Sequence, residues 1–219
     1  MRDSYREELD DINACMVEMA NAVGSAMSTA TTALLDADVA LADFVITGDE
    51  QIDARRESIE QRCFTLLARQ QPVAGDLRTI TTAMRIISDL ERMGDLAVHV
   101  AKLARMRFPE HAVPQELRPI FMQAGHVAES LVTQTATVIA KLDVEAAAAL
   151  EAEDDLMDQL HRQLFNELLS KEWPHGMEAA IDITLLGRYY ERFADHAVSV
   201  ARRVVYLVTG EREMHASAD

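Results

Sequence analysis

At 219 residues the chain is long enough to bury a real core as one or two domains. Only 8 Gly, 5 Pro and 5% aromatics, with abundant Ala, Leu, Glu, Asp and Arg, favour helix over sheet throughout. A formal charge of −16 argues against a nucleic-acid binder, because the phosphate backbone rewards Lys and Arg, yet it suits cations and basic protein partners.

The opening stretch, MRDSYREELDDI, lacks a basic segment followed by an apolar one, so no secretory signal is expected. No apolar run approaches the roughly 18 residues that a membrane-spanning helix needs. A soluble protein is therefore expected, reaching a membrane only through partners. The first helix carries Met19 and Met27 on an amphipathic pattern, where methionine fills core gaps by default. Cys15 and Cys63 show no C-x-x-C and no metal-type spacing, which points to a reduced cytoplasm. A start signal at Asp36–Asp38 ends the first helix and opens the second. ARQQPVAGDLR then combines Pro72 and Gly75 with Asp76 as the expected N-cap of the third. The densest breaker region holds Pro109, Pro114 and Pro119, and Asp143 repeats the start signal before the fifth helix. Pro174 and Gly176 separate the last two, with Trp173 as a turn anchor. The result is an all-α chain of six long helices, each of roughly 25 to 35 residues, and short loops between long helices imply antiparallel bundles.

The two halves of the chain align. SDLERMGDLAVHVA begins at Ser88 and RYYERFADHAVSVA at Arg188, with Glu91, Arg92, Asp95, Ala97, Val98, Val100 and Ala101 repeated one hundred residues later. Asp38-Val39 returns as Asp143-Val144, and Asp49…Asp53 as Asp154…Asp158, at an offset of 105. A duplicated three-helix unit explains this, with the first repeat at 1–108, the second at 109–210 and a polar tail at 211–219.

Alignment exposes four pairs of carboxylates spaced four apart: Asp49/Asp53, Glu91/Asp95, Asp154/Asp158 and Glu191/Asp195. Such pairs lie one above the other on a helix face and repel. With 37 acids in 219 residues, about six such spacings arise by chance, so position must decide. In an antiparallel hairpin, residues equidistant from the turn share a level. Asp53/Glu91 and Asp49/Asp95 are both centred on Pro72, while Asp158/Glu191 and Asp154/Asp195 are both centred between Pro174 and His175. Each hairpin therefore brings four carboxylates to one level, a local charge that needs cations or protons. Arg92 and Arg192, one position along the helix, turn about 100° away and are expected as flanking counter-charges. Oxygen-only clusters suit hard or borderline cations such as Mg²⁺, Ca²⁺, Mn²⁺ or iron rather than a thiolate zinc site. The bland alternative is a pair of solvated acidic faces.

Histidines add little: His99 shares the face of Asp95 but is replaced by Ser199 in the second half, His196 points away, and His161 can approach the second quartet. There is no Gly-rich phosphate loop, no G-x-S-x-G and no H-E-x-x-H, so no enzyme is expected. A carboxylate-bridged iron or redox protein would want Glu-x-x-His on two helices. Only Asp158/His161 comes near on a helix, since Glu172/His175 spans the Pro turn.

ISDLERMGDLAVHVAK and LLGRYYERFADHAVSVAR, each paired with an upstream D-x-x-x-D, resemble the PhoU proteins, accessory regulators of the phosphate-specific transport system, as does the loop from Gln70/Gln71 to Arg78. The resemblance runs from about Tyr5 to Gly210 and implies two similar three-helix bundles. It implies metal ions (iron, Mn, Mg or Zn) at Asp49, Asp53, Glu91 and Asp95 and at Asp154, Asp158, Glu191 and Asp195. It also implies a cytoplasmic adaptor, peripheral at the inner membrane face, linking the phosphate ABC transporter to a sensor histidine kinase. Members of the family are often homodimers.

Overall fold

The computed structural model describes residues 2–170 and 173–211. Six helices account for nearly all of them: α1 (Arg2–Asp36), α2 (Val39–Gln70), α3 (Ala74–Arg107), α4 (Arg118–Lys141), α5 (Val144–Leu168) and α6 (Gly176–Thr209). The aspartates expected to start α2 and α5 do so. Asp38 Oδ1 accepts from the amides of Ala40 and Leu41 at 2.9 and 3.0 Å, and Asp143 Oδ1 accepts from Ala146 at 3.0 Å. In each case the side chain satisfies amides that a helix start leaves without partners.

Asp76 is not the N-cap of α3. The helix begins earlier, behind Val73, because Gln71 and Ala74 adopt left-handed backbone angles (φ 46° and 48°) that turn the chain within three residues. Asp76 instead sits in the first turn, where its charge still favours the helix dipole.

The connections explain where the quartets lie. Among the described residues, α2 packs only on α1 and α3, and α5 only on α4 and α6. The halves meet through α1 against α4 and α3 against α6. Both contacts are antiparallel. A Cβ on Gly24 would lie 2.5 Å from Val132 Cγ1, and one on Gly125 would lie 2.6 Å from Thr31 Cγ2. The two glycines therefore set how closely α1 and α4 approach. Across the other contact, Arg107 reaches Asp182 (Nε to Oδ2, 2.6 Å), while Arg203 and His196 converge on Asp89 from α6. Both aspartates are buried, and each is paired.

One apolar core runs through both halves, including Met19, Met27, Phe121, Tyr190 and Phe193. Each such side chain contributes about 1.5–3 kcal/mol on burial. Met19 and Met27 are thus core residues, as their helical spacing suggests. Tyr190, fully enclosed, keeps its hydroxyl satisfied 2.7 Å from Thr31 Oγ1. The sequence boundary at 108/109 falls in the connection between α3 and α4. Residues 212–219 of the expected tail, and Glu172, lie outside the described residues. No helix among the described residues is long and apolar enough to cross a membrane.

Candidate functional site

Because α2 and α5 are the outer helices, the α2/α3 and α5/α6 seams open to solvent on one side, and each seam carries one quartet. The charges act on one another as the hairpin arithmetic requires. Burial pushes the Asp49 carboxyl up to about 6, helped by Asp53, Asp95 and Glu91 and opposed by Lys102. Glu91 is raised by burial and then by Asp95, with Arg92 and Arg56 pulling the other way. In the second half, burial followed by Asp195, Asp158 and Asp155 takes Asp154 up to about 6. Asp195 is raised by burial and by Glu191 and Asp158. All eight predicted residues therefore gather into two groups of four.

The arginines stand where the helix geometry puts them. Arg92 donates to Asp95 at 2.8 Å and lies 3.7 Å from Glu91, and Arg192 donates to Asp195 at 3.4 Å. Arg188, which sequence reasoning did not single out, pairs with Glu191. Its i, i+3 spacing to Glu191 was the available signal. Two glycines were also missed. A Cβ at Gly94 would stand 3.5 Å from Asp49 Oδ1 and 3.3 Å from Ile52, so this glycine lets α2 settle onto α3 beside the quartet. Gly187 makes the same kind of room beneath His161 and Leu164. A glycine in the middle of a helix is itself the signal, since it costs up to about 1 kcal/mol relative to alanine unless close approach repays it.

The histidines divide. His99 does not complete the first quartet: its ring packs edge-on against Tyr189 with centroids 5.1 Å apart, and burial and Lys102 lower its basicity. His196 turns to Asp89 across the α3/α6 contact. His161 does border the second quartet, with Nδ1 3.9 Å from Glu191 Oε2, and its buried Nε2 has no hydrogen-bond partner.

Among the described residues, no three His, Cys, Asp or Glu side chains converge tightly enough to hold an ion as they stand. The donor chemistry nevertheless fits a hard cation. Each seam offers four carboxylates, one of them raised by burial to about 6, and among the described residues Asp49, Asp53, Asp154 and Asp158 carry no ion pair of their own.

Comparison with known proteins bears on this arrangement. The PhoU domain family model matches residues 16–104 and 121–204, once in each half. The chain is 50% identical to the Mycobacterium tuberculosis phosphate-specific transport system accessory protein PhoU homolog 2, over 96% of this chain and 99% of that protein. It is 36% identical to the homolog of that accessory protein from Aquifex aeolicus, over 95% of each. The crystal structure of PhoU from Pseudomonas aeruginosa superposes with a TM-score of 0.88 at 31% identity, covering 94% of this chain and all of that one. The phosphate transport system regulatory protein PhoU from Streptococcus pneumoniae gives 0.86 at 27% identity, covering 95% of this chain and 98% of that one.

Proposed function

From the premise that this chain belongs to the PhoU family, we propose that it is an accessory regulator of phosphate uptake which acts by docking and not by catalysis, as an adaptor between a phosphate ABC transporter and a sensor histidine kinase at the cytoplasmic face of the membrane. The observation that carries the reading is the full-length match to accessory proteins of phosphate transport, coupled with a body that displays its charge on two outward seams. Clustered charge steers and selects partners more than it adds affinity.

The two quartets are the regulator's cation sites: Asp49, Asp53, Glu91 and Asp95 in one seam, and Asp154, Asp158, Glu191 and Asp195 in the other. The chain's own residues prepare them. Burial raises the Asp49 and Asp154 carboxyls to about 6, so near neutral pH they stay ionised at a cost that a bound cation would relieve. Arg92, Arg188 and Arg192 neutralise the outer members. Gly94 and Gly187 let the paired helices close up. A bound cation would supply the positive charge that favours ionised carboxylates, and through it an anion such as phosphate could reach an otherwise repellent surface. Among the described residues an imidazole is paired to the second quartet, His161, while His99 packs on Tyr189, so the redox-iron reading lacks its histidines in the first half.

The test is metal content per chain by elemental mass spectrometry on tag-free protein, wild type against an Asp95→Asn/Asp195→Asn double variant. Stoichiometric metal in the wild type, lost in an equally folded variant, is the expected result. If both are metal-free, the cation sites are refuted. The regulatory half of the proposal is read separately. Deleting the gene should derepress phosphate-starvation genes in phosphate-rich medium, and unchanged expression and uptake in a strain without a second copy would sink it.

A further inference from the structure

The duplication lets each half serve as a control for the other around its quartet. About two helical turns beyond the last aspartate of each quartet stands an exposed base: Lys102 after Asp95 on α3, and Arg202 after Asp195 on α6. That spacing keeps the base on the same helix face as the carboxylate. The choice of base is itself a signal. Of the 21 Lys and Arg residues in the chain only three are lysine, and Lys102 stands where the second half has arginine.

The residue that meets the base from the outer helix also differs. In the second half Arg202 crosses the seam to α5, and its Nε and Nη2 both donate to Glu151 Oε1, at 3.0 and 2.9 Å. Glu151 lies three residues before Asp154, at the margin of the quartet. Arg202 still acts on Asp154, but Glu151 offsets its charge there. In the first half the equivalent place, three residues before Asp49, belongs to Ile46, which packs against the core and has no side-chain acceptor. Lys102 instead bears on the quartet. Burial and the neighbouring acids raise the Asp49 carboxyl, and Lys102 is the base that pulls it back. Burial, and then Lys102, lowers the basicity of His99 one turn from Asp95. The field of this ammonium thus falls on α2 and α3 alike. Lysine suits such a place, being a compact point charge on a flexible stem without the fork that commits an arginine to one carboxylate. A metal ion entering the first seam meets a like charge that it must push aside.

We propose that Lys102 is a tethered cation that rests in the first seam until a metal ion displaces it, a role from which Glu151 withholds Arg202 in the second. The inference rests on the reading of the quartets as cation sites and adds the residue that the incoming ion must move.

The experiment uses the full chain with its lysines reductively dimethylated with ¹³C, a modification that keeps their positive charge, and Zn²⁺, which is diamagnetic and accepts carboxylate ligands. Three lysines give a spectrum simple enough to assign, the Lys102 signal being the one absent from Lys102→Arg. Zn²⁺ should shift that signal in wild type and in Asp195→Asn, but not in Asp95→Asn, and should leave Lys141 in place. Calorimetry on the unmodified chain supplies the affinity. In an Asp195→Asn background Lys102→Met should lower the Kd of the first seam at least about threefold, and Lys102→Arg should not. In an Asp95→Asn background Glu151→Gln should raise the Kd of the second, because Arg202 is then unopposed. Position 102 is exposed, so its variants should fold, as circular dichroism can verify. If Asp95→Asn costs no Zn²⁺ uptake, the first cation site fails and the role of Lys102 fails with it. Uptake that depends on Asp95 while the Lys102 signal stays still, or while Lys102→Met leaves the Kd unchanged, overturns this inference alone.

Discussion

The protonation of Asp49 yields the most direct physical test of the first quartet. Burial first, and then Asp53 and Asp95, raise its carboxyl from 3.8 to about 6. A raised carboxyl means that the native state holds its proton in a range where the unfolded chain has lost it. Stability therefore falls as pH rises from about 4 to about 6, and the cost stays in place above that. At full effect the shift would be worth about 3 kcal/mol, but solvent screening of a partly exposed group reduces this to about 1 kcal/mol. Asp49→Asn removes the charge at nearly constant shape. In metal-free buffer at pH 7.5 the variant should thus be more stable than wild type by about 1 kcal/mol, or about 2–4 °C in Tm for a chain of this size. The difference should shrink toward zero near pH 4, and comparing the two proteins cancels the titration of every group outside the quartet. The assay is thermal unfolding by circular dichroism in EDTA across that range. Added Mn²⁺ or iron should reverse the sign, stabilising wild type more than the variant. An Asn variant that is less stable than wild type at pH 7.5 without metal would refute the reasoning, because Asp49 would then be a satisfied structural carboxylate.

Two further substitutions probe the contacts between halves. Burial pushes Asp89 up, but hydrogen bonds from His196 and Arg203 outweigh it and hold the carboxyl below its ordinary value. Its stabilisation is then fully present above the unfolded carboxylate range and lost as pH falls through the lower folded value. Asp89→Asn should accordingly destabilise by about 1–2 kcal/mol at pH 7, with the gap from wild type closing below about pH 4, as urea titrations at the two pH values would measure. Gly24→Ala would place a methyl 2.5 Å from Val132 Cγ1, and since that contact is with a β-branched side chain wedged between helices, about 1–3 kcal/mol should be lost despite alanine's better helix propensity. A denaturation midpoint equal to or above wild type would show that α1 and α4 can separate at little cost.

Much of this was readable from the residues because the signals were local or repeated. Asp38 and Asp143 mark helix starts through their own side-chain bonds, and an antiparallel hairpin fixes which of its residues share a level. That alone locates Asp49 beside Asp95 and Asp154 beside Asp195. The failures came where the backbone departs from the common regions or where a contact bridges the halves. Asp76 looked like a cap because nothing in QQPVAGD announces that Ala74 takes a left-handed angle ahead of it. His99 shares a face with Asp95, but a face is wider than a site, and the approach of Tyr189 from α6 claimed the ring. The pairing of Asp89 with Arg203 spans 114 positions and leaves no periodic trace.

The glycines show how the two halves, built on one plan, came to differ at their seams. In the first, Gly94 lies under Asp49 and Ile52, and its counterpart in the second is Ala194, fully buried. The second half makes room instead at Gly187, beneath Leu164 and His161, one turn from Glu191. Space has therefore moved from beneath a carboxylate to beneath an imidazole. The two quartets contain the same number of acids but differ at their edges: among the described residues an imidazole nitrogen is paired only to the second, His161 Nδ1 at 3.9 Å from Glu191 Oε2. Borderline metals that accept imidazole gain more from that difference than Mg²⁺ or Ca²⁺ do. Metal occupancy should consequently be unequal between the seams, with a borderline ion retained longer at Asp154, Asp158, Glu191 and Asp195 than at the first-half quartet.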